Sequence, residues 1–264
     1  MPAEPPLMTG LSPGLRVAIS AGAGGIGRSV ADAFIAHGAR VAVCDVDQAA
    51  LRDFGQHHAD HVACKADVGV QAEVDAFFDV VEDKLGGLDV LVNNAGIAGP
   101  TAAVEAIDPD EWRRCVDINL SGQFYCARRA VPLLKRNAEG VMINVSSVAG
   151  RLGYAYRLPY AATKWAIIGM TQSLSLELGP SGIRVNALLP GLVEGPRIER
   201  VIQARADELG IGFDEMRQRY LEKVALGRMV SHDDLAAMAL FLSSSLGRNI
   251  SGQSLSVCGH MVAL

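Results

Sequence analysis

The sequence predicts an α/β protein: a single domain with a doubly wound sheet of seven mainly parallel strands and helices on both faces. Three observations lead to this prediction. Short runs of Val, Ile, Leu and Ala alternate with longer segments of helical periodicity. These runs are continuously apolar rather than alternating, as expected of strands buried on both sides. Half of the 264 residues are hydrophobic and only 5% are aromatic, which suits a core of small aliphatic side chains.

The predicted elements follow one another along the chain at spacings that suit crossover helices. In order they are RVAIS (16–20), a helix at 25–37, RVAVC (40–44), a helix near 47–57, HVACK (61–65), a helix near 70–85, LDVLVNN (88–94), a helical region through about 136, GVMINVS (140–146), a helix near 158–178, IRVNALL (183–189) and QSLSV (253–257). No linker, repeat or low-complexity tract divides them. We therefore predict a flexible leader at 1–13 and one catalytic domain at 14–264.

Composition excludes several classes of function. The formal net charge of −5 favours neither a nucleic acid nor an anionic membrane as partner. No run of about 18 apolar residues is present, so no membrane span is predicted. The opening segment MPAEPPLMTGLSPG lacks the features of a signal peptide. The five cysteines are scattered, without a CxxC pair, and indicate reduced thiols in or near the core of a cytoplasmic protein.

A histidine cluster, HHADH (57–61), is the one pattern that suggests a metal. It lacks a Cys or carboxylate partner at ligand spacing, and it lies where a helix should give way to a strand. We interpret its members as ordinary exposed histidines and predict no metal site.

A glycine-rich turn, SAGAGGIG (20–27), follows the first strand and opens the first helix. Gly22, Gly25 and Gly27 lack a Cβ, so the backbone can approach a pyrophosphate at the helix N-terminus, next to Ile26. A tight strand-to-helix turn without a ligand is the alternative. Asp45 at the end of the second strand favours the dinucleotide, because its carboxylate can bind both adenosine ribose hydroxyls and repels a 2′-phosphate. We therefore predict NAD(H) rather than NADP(H).

The segment VSSVAGRLGYAYRLPYAATKW (145–165) carries the chemistry. Pro159 suits the first turn of a helix, which places Tyr160 and Lys164 one turn apart on the same face. A nearby ammonium favours the phenolate, so Tyr160 can exchange a proton with an alcohol or a carbonyl oxygen. Ser147, at the end of the fifth strand, is placed to hold that substrate oxygen. The Tyr–Lys spacing alone is common on surface helices. Only its combination with Ser147, the glycine turn and Asp45 indicates a catalytic site.

With these residues in place, the sequence resembles the short-chain dehydrogenase/reductase family over residues 14 to 260, and in particular an NAD-dependent, 3-oxoacyl-reductase-like subgroup. The motifs that carry the resemblance are the glycine turn, NNAG (93–96), Asn119 in DINLSG, Ser147, Tyr160, Lys164 and PG (190–191). The resemblance implies a Rossmann-like fold and a homotetramer built through the long helices after the fourth and fifth strands.

The resemblance also assigns roles to residues that spacing alone does not. It implies that Asn119 anchors a water linking Lys164 to solvent; a helix-kink or cap residue is the alternative. The cofactor residues that it implies are Asp67 and Val68 at the adenine, Asn94, Ala95 and Gly96 along the ribose, Val193 at the carboxamide, and Tyr160 with Lys164 at the nicotinamide ribose.

Three departures from the family pattern stand out. Ser20-Ala21 replaces Thr-Gly, and because Ala tolerates positive φ poorly, we expect the backbone strain to move to Gly22. Gly195 replaces a threonine, which predicts the loss of one carboxamide contact. Cys258-Gly259-His260 replaces Asp-Gly-Gly, a change for which the sequence offers no functional explanation.

The substrate side is less specific. The segment 194–226 is predicted to form two helices separated by GIG (210–212), and the resemblance implies that it covers the substrate, with Gly195 and Pro196 suited to serve as a hinge. Arg197, Arg200 and Arg205 in this segment suit either an anionic substrate or a solvated helix face. Before the catalytic helix, Tyr154, Tyr156 and Arg157 are candidates for the pocket, and Arg157 is either a carboxylate or phosphate partner or a surface arginine.

The sequence thus predicts an NAD-dependent enzyme that interconverts a secondary alcohol, such as a hydroxy acid or a polyol, and its ketone without a metal. A 3-oxoacyl-type carbonyl reductase using NADPH, or an epimerase or dehydratase on the same fold, is the alternative. A non-catalytic nucleotide-binding regulator is the third hypothesis, but it would be expected to have lost Tyr160 or Lys164.

Overall fold

The computed structural model describes residues 8–137 and 139–263. Its sheet has seven strands in the order β3-β2-β1-β4-β5-β6-β7, and every neighbouring pair is parallel. The strands are β1 (Arg16–Ser20), β2 (Arg40–Asp45), β3 (Val62–Lys65), β4 (Val90–Asn93), β5 (Gly140–Val145), β6 (Ile183–Pro190) and β7 (Ser254–Val257). The predicted doubly wound α/β fold is confirmed.

Nine α-helices connect these strands in the described part of the chain. They are α1 (Gly25–Ala36), α2 (Gln48–His57), α3 (Gln71–Leu85), α4 (Pro109–Val116), α5 (Gly122–Leu134), α6 (Leu158–Leu178), α7 (Pro196–Leu209), α8 (Phe213–Leu221) and α9 (His232–Ser243). The predicted helical region through 136 is divided: a π-helical turn, Asp117–Ser121, lies between α4 and α5. The two helices predicted within 194–226 are confirmed as α7 and α8.

Helix boundaries follow from local capping chemistry. The side chain of Asp47 accepts hydrogen bonds from the first turn of α2, and Asp108 does the same for α4. Ser231 and Asp234 form a reciprocal capping box at α9. At the other end, α7 stops at Gly210, whose φ of +64° is readily adopted only by glycine.

The core lies on both faces of the sheet. One buried cluster packs α3 and α5 against the sheet through Phe77, Phe78 and Leu134, while the other packs α1 and α9 through Phe34 and Leu235. A third, smaller cluster lies apart from these two and holds α7 and α8 together around Ile202, Met216 and Tyr220. The cluster also contains Val148, Leu192 and Met261 from the segments after β5, β6 and β7, so the α7–α8 segment, called the lid below, packs on the strand ends.

Some expectations about individual residues are corrected. His57 is exposed, but His58 and His61 are partly buried, so the prediction of exposed histidines is wrong for these two. His58 lies 2.7 Å from a carboxylate oxygen of Asp32, and His61 Nδ1 accepts a hydrogen bond from the Val41 N–H. His58 thus connects the end of α2 to α1, and His61 connects the segment before β3 to β2.

The cysteines have the burial that the sequence predicts. Cys44, Cys115 and Cys126 are buried, Cys64 and Cys258 are partly buried, and all five are free thiols.

The predicted leader is described only from residue 8, and its residues 1–7 lie outside the described residues. Met8 donates its N–H to His37 Nε2, and the Gly10 carbonyl accepts a hydrogen bond from Ser245. The described part of the leader therefore packs against α1 and the segment after α9. Between residues 8 and 263, apart from 138, no helix is long and apolar enough to cross a membrane, and no cluster of His, Cys, Asp and Glu is placed to hold a metal.

Candidate active site

The glycine turn and the NNAG segment meet where β1 and β4 lie side by side. The crossover after β1 leads toward one edge of the sheet, and the crossover after β4 leads toward the other edge. Folds of this kind bind ligands at the point where the two crossovers diverge. The Ser20 hydroxyl accepts hydrogen bonds from the N–H groups of Asn94 and Ala95, both at 3.0 Å. The Asn94 amide donates in return to the Ala21 carbonyl at 2.9 Å. Ser20, which sequence reasoning treated only as a departure from threonine, supplies the hydroxyl that ties the two strand ends together.

The strain expected at Gly22 lies instead at Ala21. Ala21 has a φ of +49°, whereas Gly22 does not adopt a positive φ. Glycine is required at position 22 for another reason: a Cβ there would lie 2.6 Å from a Val43 methyl carbon. The hydrogen bond from Asn94 to the Ala21 carbonyl fixes this peptide, so the tertiary contact overrides the intrinsic preference of alanine.

Two further glycines shape the turn. Gly25 has a φ of +52° and open space where a Cβ would be. A Cβ on Gly27 would lie 2.1 Å from the Ala21 carbonyl oxygen, so only glycine lets α1 pack this closely under the turn. The N-cap residue of α1, Gly24, provides no side-chain acceptor for the first N–H groups of the helix. The turn therefore offers an open cradle with free N–H donors, which fits a pyrophosphate.

Three predicted adenosine-side residues line the same edge. Asp45 ends β2, is partly exposed, and accepts hydrogen bonds from the N–H groups of Ala23 at 3.3 Å and Asp47 at 3.1 Å. Asp67 follows β3 and pairs with Arg114 at 2.6 Å. Val68 is buried against Gly122 of α5. Asp45 is thus the carboxylate next to the glycine turn, while Asp67 is largely engaged by Arg114.

Tyr160 and Lys164 lie on one face of α6, as predicted. Lys164 is only 3% exposed and donates to the Val145 carbonyl at 2.9 Å, and its ammonium lies 5.6 Å from the Tyr160 ring centre. Burial lowers the pKa of Lys164 to about 8, although Tyr160 opposes the shift. Burial alone raises the pKa of Tyr160, but the charges of Lys164 and Arg197 outweigh it, so this pKa lies below its ordinary value. The pair provides a phenol that ionises more readily than free tyrosine.

Ser147 follows β5 and completes this group. Its hydroxyl accepts the Ala149 N–H at 3.1 Å, and its hydrogen bond to Tyr160 contributes to the lowered pKa of that phenol. The preceding residue, Ser146, was not singled out from the sequence. Its hydroxyl donates to the Lys164 carbonyl at 2.7 Å and so fastens α6 to the end of β5.

Asn119 lies in the π-helical turn between α4 and α5 and is fully buried. Its side-chain oxygen accepts the Ile97 N–H at 2.7 Å, and its amide donates to the Ile97 carbonyl at 3.1 Å. A Cβ on Gly96 would lie 3.2 Å from the Asn119 oxygen and 3.4 Å from the Lys164 ammonium. The π-helical turn places Asn119 beside Lys164. Asn119 is therefore both the residue at the helix irregularity and a neighbour of the Tyr160–Lys164 pair.

Val193 follows β6 beyond the PG motif and pairs with Val230 through an isolated parallel bridge. Two residues later, Gly195 has a φ of +126°, a backbone conformation that a threonine would adopt only with strain. Val193 lies at the point where the chain leaves the sheet for the lid.

The interpretation of Arg157 as a surface residue is wrong. Arg157 is 2% exposed, and its guanidinium lies 5.1 Å from the Tyr154 ring centre and 5.2 Å from that of Tyr160. It donates to the Ala98 carbonyl at 2.8 Å. The Tyr154 hydroxyl lies 2.7 Å from that of Tyr220 in α8, so Tyr154 ties the lid to this arginine.

A cleft of about 400 Å³ opens between the 96–101 segment and α7. Its wall contains Arg157, Arg197 and Arg200, and Arg197 donates across it to the Gly96 carbonyl at 2.9 Å. Arg205 is not part of this wall; it stacks at 4.2 Å on the ring of Tyr156, which has a φ of +64°. The structure thus brings two of the three arginines of α7 to the cleft.

Comparison with known proteins agrees with this geometry. A family model described as enoyl-(acyl carrier protein) reductase matches residues 21–261. The D-beta-hydroxybutyrate dehydrogenase of Cupriavidus necator is 35% identical over 90% of this chain and 94% of its own.

Two solved structures share the fold over nearly their whole length. NAD+-bound xylitol dehydrogenase has a TM-score of 0.89 and 26% identity over 94% of this chain and 98% of its own. The 3-ketoacyl-(acyl-carrier-protein) reductase from Brucella melitensis, complexed with NADH, has a TM-score of 0.83 and 33% identity over the same shares. By the family-model match over residues 21–261 and the identity to these relatives, together with its glycine turn and Ser–Tyr–Lys group, the chain belongs to the short-chain dehydrogenase/reductase family.

Proposed function

We propose that this chain is an NAD(H)-dependent oxidoreductase that interconverts a secondary alcohol and its ketone, with Tyr160 as the acid/base. The observation that carries the proposal is the buried Lys164 beside Tyr160 and Ser147, at the strand ends next to an open glycine cradle. The similarity to a hydroxybutyrate dehydrogenase and a xylitol dehydrogenase supports a hydroxy acid or a polyol as the substrate.

The residues present fit the cofactor. The cradle formed by Gly22, Gly25, Ile26 and Gly27 suits a pyrophosphate, and the carboxylate of Asp45 suits the adenosine ribose and disfavours a 2′-phosphate. Around the remainder of the dinucleotide we assign Asp67, Val68, Asn94, Ala95, Gly96, Val193, Tyr160 and Lys164. When bound, NAD+ accepts the hydride that leaves the carbinol carbon.

The chain's own residues handle the proton. During oxidation, the substrate hydroxyl transfers its proton to the Tyr160 phenolate while the Ser147 hydroxyl holds the same oxygen. The charge of Lys164 stabilises the phenolate form of Tyr160. Asn119 holds the backbone next to Lys164, and we assign it the relay that returns the proton to solvent. Reduction of a ketone follows the reverse course, with the neutral Tyr160 phenol as donor.

Exposed apolar side chains support the proposal of a homotetramer. They lie on the helices that follow β4 and β5: Trp112 on α4, Phe124 on α5, and Trp165 and Leu176 on α6. Burial of such side chains against other copies of the chain would remove a large apolar area from water. A cytoplasmic location, inferred from the reduced cysteines, is likewise proposed.

Tyr160→Phe tests the central role. With 3-hydroxybutyrate or xylitol and NAD+, we expect kcat to fall by roughly 10²- to 10⁴-fold, while NADH binding, followed by fluorescence, changes little. In the unsubstituted protein, alcohol oxidation should rise as the pH rises through the lowered pKa of Tyr160, and ketone reduction should fall over the same range.

Tyr125→Phe, on α5, is the matched control for loss of a phenol hydroxyl elsewhere. Near-normal turnover by Tyr160→Phe would refute the proton-transfer role. A clear preference for NADP+ over NAD+ would refute the role of Asp45 and would favour the 3-oxoacyl-type reductase with NADPH instead.

A further inference from the structure

The cleft beside Tyr160 has a charge opposite to that of the chain. The protein as a whole carries a formal net charge of −5. The cleft wall nevertheless contains Arg157, Arg197 and Arg200 and no Asp or Glu; the other lining residues are Gly96, Ile97, Ala98, Gly99, Thr101, Val201 and Ala204. Small apolar side chains and guanidinium groups thus share a cleft that is linked to the catalytic phenol through Arg157, whose guanidinium lies 5.2 Å from the Tyr160 ring centre.

These arginines differ from many others in the molecule. Arginines elsewhere pair with carboxylates at hydrogen-bond distance, for example Arg16 with Asp89, Arg114 with Asp67 and Arg136 with Glu82. Within residues 8–137 and 139–263, Arg157, Arg197 and Arg200 form no ion pair with a carboxylate. Their charge is therefore not balanced by the protein around them.

Burial makes the unpaired charge of Arg157 energetically unfavourable. It is 2% exposed, and its Nε and Nη1 atoms are buried without a hydrogen-bond partner. A buried guanidinium with unpaired N–H groups destabilises the folded state unless an anion compensates it. The rings of Tyr154 and Tyr160 stack on it and hold it in place beside the reacting phenol.

Arg197 and Arg200 approach from the lid. Both belong to the first turns of α7, are exposed, and line the cleft together with Arg157. Arg197 already spans the opening through its hydrogen bond to the Gly96 carbonyl. An anionic group that enters the cleft would meet one cation from the N-cap of α6 and two from the lid.

We infer that the substrate is a small anionic secondary alcohol, whose carboxylate or phosphate group is held by Arg157, Arg197 and Arg200 while its carbinol faces Tyr160. This inference rests on the proposed function. Guanidinium groups bind carboxylate and phosphate oxygens by the same charge-assisted hydrogen bonds, so the anionic group is a carboxylate or a phosphate ester. Neutral polyols lack the group that this cleft recognises.

The test compares an acid with its neutral isostere: 3-hydroxybutyrate with 3-hydroxybutyramide, alongside xylitol and propane-1,2-diol 1-phosphate, all with NAD+. We expect kcat/KM for an anionic alcohol to exceed that for the amide and for xylitol by at least tenfold. Arg200→Gln should lower kcat/KM for the acid by roughly 10- to 100-fold, mainly through KM, and change that for the amide little.

Three further variants make the test specific. Arg157→Lys keeps a charge but lacks the planar guanidinium fork, and it should lose discrimination between acid and amide. Arg197→Gln tests whether Arg197 binds the cofactor instead of the substrate. A rise in the KM for NAD+, with no change in the ratio of kcat/KM for the acid to kcat/KM for the amide, would mean that Arg197 is not part of the anion site. Arg217→Gln, an exposed arginine on α8, is the control and should leave both substrates unaffected.

The outcomes separate the inference from the proposed function. If xylitol or the amide is oxidised as well as either anionic alcohol, the inference is wrong and the oxidoreductase function stands. If the acid-to-amide ratio is the same in Arg200→Gln as in the unsubstituted protein, the cleft arginines do not recognise the anion. Faster turnover of the phosphate ester than of 3-hydroxybutyrate identifies the anionic group as phosphate. Failure to oxidise any of the four compounds contradicts the proposed function itself.

Discussion

Two regions of the site differ: the proposed cofactor end, at the glycine turn, is lined by backbone, whereas the proposed substrate end, in the cleft below α7, is lined by arginines and small apolar side chains. The turn after β1 depends on positions where a Cβ would collide, such as Gly22 and Gly27. It lies on strands whose apolar side chains are almost completely buried. The lid, in contrast, packs around a small cluster that it shares with the segments after β5, β6 and β7, and it presents arginines to the cleft.

The difference shows how one fold can keep its cofactor and vary its substrate. A backbone cradle tolerates few substitutions, because each one moves the main chain of a buried sheet. A lid that packs on a cluster separate from the two main cores of the sheet can change the side chains on its inner surface with little effect on the sheet. Substitutions at the two ends should therefore have different consequences, and the following predictions are ordered from the largest expected effect to the smallest.

Gly27→Ala should be the most severe change at the cofactor end. Its Cβ would lie 2.1 Å from the Ala21 carbonyl oxygen and 2.6 Å from the Asn94 amide, so α1 must move away from the turn. We expect NADH affinity to fall at least 100-fold or the protein to unfold, as measured by NADH fluorescence and circular dichroism. Gly55→Ala on α2, where a Cβ meets open space, is the control. Normal NADH binding by Gly27→Ala would contradict the close-packing argument.

Asp45→Ser should change cofactor choice without unfolding the protein. The substitution removes the carboxylate that repels a 2′-phosphate while leaving a hydroxyl near the Ala23 N–H. We expect the ratio of kcat/KM for NAD+ to that for NADP+ to fall by roughly 10- to 100-fold, in line with the loss of charged hydrogen bonds. Asp47→Ser, at the N-cap of α2, is the matched control for loss of a nearby carboxylate. An unchanged ratio would show that Asp45 does not contact the ribose.

Ile202→Ala should loosen the lid and leave the cofactor end unchanged. Ile202 is fully buried in the lid cluster, and truncation of such a side chain costs about 2–5 kcal/mol. We expect faster amide hydrogen exchange in 196–221 and a higher KM for substrate, with an unchanged Kd for NADH. Leu209→Ala, at an exposed position on α7, should do neither. If the whole protein lost the same stability as the lid, the lid would not be a separate unit.

Ala21→Gly should give the smallest effect, and in the opposite direction. Ala21 has a φ of +49°, which costs a non-glycine residue about 1 kcal/mol or more, and glycine removes that cost at the expense of some unfolded-state entropy. We expect a gain of roughly 0.5–1 kcal/mol in the free energy of unfolding, measured with urea. Ala23→Gly, at a position without positive φ, should destabilise instead. A loss of stability in Ala21→Gly would mean that Ala21 is not strained.

Much of the molecule was predictable from the sequence. The seven strands, the crossover helices and the two lid helices follow from hydrophobic periodicity and from Gly and Pro at their ends, because these are local properties of the chain. The Tyr160–Lys164 face, Ser147 and the glycine turn were predictable for the same reason: each depends on spacing within one element or at the end of one strand.

What only the tertiary structure decided depends on contacts between distant segments. The strain lies at Ala21 rather than Gly22 because Asn94 fixes the Ala21 carbonyl from another strand. Asn119 becomes part of the site because a π-helical turn places it against Ile97. Arg157, which the sequence left open between surface and pocket, is buried because the rings of Tyr154 and Tyr160 enclose it. Periodicity records which side of an element faces the core, but the burial and charge balance of a single side chain depend on what the rest of the chain brings next to it.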